Sequence, residues 1–171
     1  MYRHYHNPFF VMKEKFDFRS IKTINDACEK AGIDFNAFMA IIDPLPEHLR
    51  ALAAMEVIIK ALNDGWENPL DGETWCYYPW IYVYDNIEMA EVLRETPGRE
   101  DLIRFKRPDG NCGLAFASSN SAWSLSNANV GSRLACKDRE TCLYLVQNFK
   151  DLLAMYYLPM EGSNVIERYI R

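Results

Sequence analysis

The sequence predicts an α+β fold with a helical N-terminal third, an antiparallel sheet of about four strands and a closing C-terminal helix. Three observations carry that prediction. Apolar residues recur at three- and four-residue steps before residue 65 and again after residue 138. The stretch 75–84, Trp-Cys-Tyr-Tyr-Pro-Trp-Ile-Tyr-Val-Tyr, is dense in residues that favour a half-buried pleated surface. Finally, Pro108-Asp109-Gly110-Asn111 separates two short runs and reads as a hairpin turn. The length, 171 residues, fits one domain. Within residues 1–171, the segment 1–65 is mainly helical, 66–157 holds the sheet and the C-terminal helix, and 158–171 is a tail.

The elements follow in order. Thr23 and Asp26 mark a helix start that Gly32 stops, and Asp34 caps a second turn carrying Phe35, Phe38, Ile41 and Ile42. The clearest helix spans about 46–63: it opens on Pro46, carries Leu49, Leu52, Ala53, Ile59 and Leu62 on its apolar face, and stops at Gly65. Strand 75–84 contains Pro79, which fits an edge strand or a bulge. A short helix over 87–95 ends at Pro97-Gly98. The hairpin pairs 102–107 with 112–118, with Ile103 and Phe105 on one face and Arg104 and Lys106 over the small residues Gly113, Ala115 and Ala117. Residues 118–132 are rich in Ser and Asn and read as turns with room for one short strand, 133–136 reads as the last strand, and Asp138 caps a helix reaching about residue 157. The expected core joins Leu52, Ile59, Leu62, Phe149 and Leu152.

Composition sets bounds on function. With 49 % apolar and 25 % charged residues the chain is neither disordered nor collagen-like nor a coiled coil. A formal charge of −5 is opposite in sign to the footprint of broad phosphate-backbone binding. The five cysteines contain no C-x-x-C pair, which argues against a zinc site or a disulfide framework and for packing in a reducing compartment. No apolar run approaches the roughly 18 residues of a membrane helix, so no membrane contact and a cytoplasmic location are expected.

Four segments in order, Asp26-Ala27-Cys28, Ala61-Leu62-Asn63-Asp64-Gly65-Trp66, Tyr77-Tyr78-Pro79-Trp80 and Val130-Gly131-Ser132-Arg133-Leu134, carry a resemblance over roughly residues 23–157. The chain resembles a group of small uncharacterised proteins carried by bacteriophages and prophages of Bacteroides-type gut bacteria. Residues 85–101 resemble an insertion, and the spacing from Trp66 to Pro69 and Asp71 departs from the group's pattern. The resemblance implies a phage-related setting in the cytoplasm of a bacterial host and contributes no catalytic residue.

Candidate chemistry is sparse. His4 and His6 share one face of an extended segment without a further ligand of recognisable spacing, and no glycine-rich phosphate loop or G-x-S-x-G motif occurs. Asp64, Glu67, Asp71 and Glu73 make an acidic loop without the calcium-loop pattern. No catalytic residue, metal or cofactor is expected. Two binding constellations stand out. Strict alternation puts Tyr78, Trp80, Tyr82 and Tyr84 on one strand face and Trp75, Tyr77, Ile81 and Val83 on the other. Aromatic runs more often pack in a core, yet a chain with about three substantial helices cannot easily cover both faces. Tyr78, Trp80, Tyr82 and Tyr84, with Trp123 from the Ser/Asn-rich stretch, are therefore the candidate partner-binding residues, and Trp80 is the expected anchor. Arg99, Arg104, Lys106 and Arg107 form the one basic concentration, a candidate nucleic-acid contact that the acidic whole disfavours. The expectation is a non-enzymatic, phage-associated accessory or interaction protein, acting on a protein partner or by self-association. A nucleic-acid-contacting module is the alternative, and a hydrolase a distant third.

Overall fold

Capping chemistry sets the N-terminal helices in the computed structural model, which describes residues 16–95, 102–106, 112–123, 132–158 and 167–168. The Thr23 hydroxyl accepts from the Asp26 N–H at 3.1 Å, and the Asp26 carboxylate accepts from the N–H groups of Thr23 and Lys22 at 2.8 and 2.9 Å. This reciprocal box starts α1 (Ile24–Ala31), and those hydrogen bonds hold the Asp26 carboxyl below its usual pKa. Gly32 ends α1 at φ +69°, a conformation in which a Cβ is strained. Asp34 caps α2 (Phe35–Ile42), and α3 (Glu47–Leu62) begins directly after Pro46.

Helix α3 packs against both α1 and α6 (Lys150–Tyr157). Its buried residues are Ala51, Ala54, Met55, Ile58, Ile59, Ala61 and Leu62, a wider stripe than the predicted one and rotated from it. Leu49, expected inside, is 41 % exposed, and Leu52 is half-buried. The rotation follows from the two-sided cover, because three alanines let neighbouring helices come close. Ile59, Leu62 and Phe149 lie in one continuous core with Leu52 and Leu152 packed at its margin, so the expected joining of the two helical regions is present.

The chain is mixed helix and strand. Strand β1 (Trp75–Tyr84) is followed by α4 (Asn86–Glu95), β2 (Leu102–Lys106) and β3 (Cys112–Trp123). The order is β1-β3-β2-β4, all antiparallel, with β4 only Glu167–Arg168. Residues 118–123, expected in turns, continue β3, because β1 supplies ladder partners from Trp80↔Ser118 to Trp75↔Trp123 and backbone pairing tolerates polar side chains. The expected last strand at 133–136 is absent: Ser132–Leu134 is a 3-10 turn, and Cys136 makes one isolated bridge to Tyr77. Leu134, Ala135 and Cys136 are buried in succession, which breaks the two-residue alternation of a half-buried strand.

The predicted single C-terminal helix is two, α5 (Arg139–Asn148) and α6, divided at Phe149 with φ −122° and ψ 26°. Phe149 is buried in the core, and its packing overrides helical continuity there.

Candidate functional site

Strand β1 lies at one margin of the ladder. The Tyr77 N–H and C=O face away from β3, bonding Cys136 at 3.1 and 2.7 Å. By alternation, the N–H and C=O groups of residues 79, 81 and 83 face that same outer edge. Pro79 therefore sits where its missing donor costs no ladder bond, and its carbonyl accepts from the Tyr157 hydroxyl at 3.2 Å. Burial of that hydroxyl end, with Tyr156 beside it, pushes the Tyr157 pKa up to about 12, although a third of the side chain is exposed. Beyond Pro79 the edge changes. Among the described residues no backbone group pairs with the outward groups of Ile81 and Val83, and Val83 is 47 % exposed.

The aromatic face divides along the same line. Tyr78 is only 3 % exposed, packed with Cys76, Ala135 and Trp66, and its oxygen accepts from Asn68 Nδ2 at 3.3 Å. Burial raises its phenol pKa. Tyr78 is thus removed from the accessible set, because the turn after α3 folds back over it. Trp80 and Tyr84 are half-buried and Tyr82 is 40 % exposed. Their rings form a row, Trp80 edge-on to Tyr82 at 6.1 Å and Tyr82 tilted on Tyr84 at 4.8 Å. The row is held from below by Asp85 and Glu88. Asp85 accepts from the N–H of Glu88 while Glu88 accepts from the N–H of Asp85, a box that starts α4, and the Tyr82 hydroxyl donates to Glu88 Oε1 at 3.4 Å. The nearby Glu88 carboxylate raises the Tyr82 pKa. On the opposite face Tyr77 and Ile81 pack against the helical core.

The hairpin register corrects one expectation. Arg104 pairs with Leu114 and Lys106 with Cys112, and directly opposed residues belong to one sheet face. Positions 104 and 106 therefore belong with 114 and 112, not with Gly113, Ala115 and Ala117. Since Leu114 also opposes Tyr84, and Phe116 opposes Tyr82, these positions fall on the face that carries the aromatic row. Trp123 ends β3 opposite Trp75. Arg99, Arg107, His4 and His6 lie outside the described residues, as does the Ser/Asn-rich segment 124–131.

Among the described residues, four cysteines and two acidic-loop carboxylates serve structural roles. Cys28, Cys76, Cys136 and Cys142 are buried and unbridged. The Cys136 thiol is pushed well up by its hydrogen bond with Cys142 and by burial, which disfavours the thiolate; burial raises Cys28 and Cys76 as well. In the acidic loop Asp64 pairs with Lys30 at 2.6 Å, and Asp71 accepts from the N–H groups of Glu73 and Thr74. Among the described residues no group of three or more His, Cys, Asp or Glu is placed to hold a metal ion, and no helix is long and apolar enough to cross a membrane.

Sequence reasoning missed the buried Asn63, whose Nδ2 donates to the Ala135 carbonyl at 2.8 Å while its Oδ1 accepts from the Lys137 N–H at 3.1 Å. Asn-Asp-Gly at a helix end reads as a stop signal, and nothing local marks the first residue as a clamp. No family model, curated protein or solved structure matches the chain.

Proposed function

We propose that the protein is a non-enzymatic interaction protein that captures an extended segment of a partner protein along the outer part of β1. The observation that carries this is the open ladder edge at Ile81 and Val83, next to the exposed Tyr82 and its ring-contact neighbours Trp80 and Tyr84. An added strand takes its affinity from main-chain hydrogen bonds and its selectivity from side chains on alternate positions. Aromatic residues suit the second task, being large, stiff and polar at one edge. The Ser/Asn-rich stretch contributes through residues 118–123 as the inner neighbour of β1. A phage-related setting in a bacterial cytoplasm belongs to the same proposal and rests on the resemblance alone.

The test is affinity capture from phage-infected host cells followed by mass spectrometry, comparing the natural chain with Val83→Pro. Proline at 83 removes one outward N–H and leaves the bonds to β3 in place. A partner retained by the natural chain and lost by Val83→Pro, at an unchanged thermal midpoint, is the expected result; equal capture by both overturns the edge as the binding element. A second reading has one observation in its favour, the register that sets positions 104 and 106 on the aromatic face. It takes a single-stranded nucleic acid as partner, with bases stacked on the rings. Oligonucleotide binding at physiological salt, lost in Arg104→Glu/Lys106→Glu, would promote it.

A further inference from the structure

A second concavity lies away from the β1 edge. A cleft of about 500 Å³ opens between α3, the turn that follows it, and the segment before α5. That volume is within the range of small-molecule sites. Its construction is local. Asp64 at φ 53° and Gly65 at φ 79° reverse the chain after α3, and Trp66 comes to rest against Cys76, Tyr78 and Ala135. Asn63, at the cleft floor, ties Ala135 to the end of α3, so the opposite walls are held at a set distance. Ile59 completes the floor and is itself core.

The lining has two characters. Phe38, Val57 and Trp66 provide apolar and aromatic walls. Lys60, Arg133, Glu56 and Glu67 provide charge of both signs. Arg133 and Glu56 are 3.6 Å apart, with Arg133 largely exposed, while Lys60 sits one turn along α3 from Glu56 and has no ion-pair partner among the described residues. Two cations and two anions sum to zero, which opposes a nucleoside polyphosphate or another multiply charged anion, since each added negative charge would face Glu56 and Glu67. A ligand carrying one charge of each sign on a bulky apolar body matches both the charges and the walls. We infer that this cleft binds a free α-amino acid with a large apolar side chain, its carboxylate toward Lys60 and Arg133, its ammonium toward Glu56 or Glu67, and its side chain against Trp66 and Phe38. This goes beyond the proposed partner capture and uses none of its residues.

The test titrates L-phenylalanine against the full chain by saturation-transfer NMR, in parallel with its N-acetyl and methyl ester derivatives, each of which removes one of the two charges. Saturable binding at about 1 mM or tighter is expected, with both derivatives weakened by at least about fivefold, or roughly 1 kcal/mol. Lys60→Met should weaken L-phenylalanine by a similar factor with an unchanged melting temperature, because Lys60 is exposed. Ala53→Trp, which fills the cleft from α3, should abolish binding. Absence of saturation up to about 20 mM, equal affinity for all three compounds, or indifference to Lys60→Met would each overturn the inference. Should Ala53→Trp unfold, the derivative series and Lys60→Met still decide.

Discussion

Two parts of β1, residues 76–79 and 80–84, share a strand, an alternation and an aromatic composition, yet they meet opposite environments. In the first part Cys76 and Tyr78 are buried under Trp66 and Ala135, Pro79 is buried as well, and the edge is closed by the Cys136 bridge and the Tyr157 hydroxyl. In the second, Tyr82 and Val83 are exposed and the outward backbone groups of residues 81 and 83 have no partner among the described residues. The strand's own chemistry does not make this difference. It is made by where the turn after α3 and the segment before α5 stop, one above the strand and one beside it. A tyrosine is core or contact surface according to what a distant stretch of chain places over it.

The largest expected effect tests the covered part directly. Tyr78→Ala should cost about 3–5 kcal/mol in chemical denaturation, the range for deleting a large buried ring, and a loss below about 1 kcal/mol would erase the distinction between the two parts. Asn63→Ala should cost about 2–3 kcal/mol, because it strands the buried Ala135 carbonyl and the Lys137 amide together. Its hydrogen exchange should quicken at the Tyr77 amide, one bridge away from the lost clamp, before it does so in α1.

Tyr157→Phe should cost about 1 kcal/mol at neutral pH through the lost bond to Pro79. It also makes a prediction in alkali. The native phenol titrates at about 12 against about 10 in an unfolded chain, so the folded state keeps a proton that the unfolded state has given up. The stabilisation is whole below about pH 10 and is lost as pH rises toward 12. Stability should therefore fall less steeply over that window in Tyr157→Phe than in the natural chain. The smallest effect belongs to the open part: Tyr82→Ala should change stability by no more than about 0.5 kcal/mol, and a drop of 2 kcal/mol or more in thermal unfolding would move Tyr82 into the core.

Elements with local causes were legible in the sequence. Thr23-x-x-Asp26 and Gly32 bound α1, Asp34 starts α2, Pro46 opens α3, and Pro79 fits an edge position. Features that depend on distant partners were not. Ser118 to Trp123 looks like a string of turn formers until β1 is laid beside it, and 133–136 looks like a strand until three successive residues prove to be buried. The division at Phe149 has no glycine or proline to announce it. At the candidate site the alternation correctly gathered Trp80, Tyr82 and Tyr84 on one face, but the burial of Tyr78 depends on Trp66 and Ala135, twelve residues before it and fifty-seven after.

The Asn63 clamp also bears on the order in which the chain can fold during synthesis. Helices α1 and α3 leave the ribosome early, and their apolar faces share a core with Leu134, Cys136, Leu145, Val146, Phe149 and Leu153. When α3 is complete, its last buried amide has no partner, and the carbonyl it will bind is 72 residues away in sequence. A nascent chain ending before residue 135 therefore exposes both an unfinished apolar surface and an unsatisfied polar group at one spot, the kind of species that chaperones hold. The N-terminal third is not a foundation laid early; it is completed by the chain's final third, and translation pausing inside residues 100–130 would prolong the most vulnerable interval.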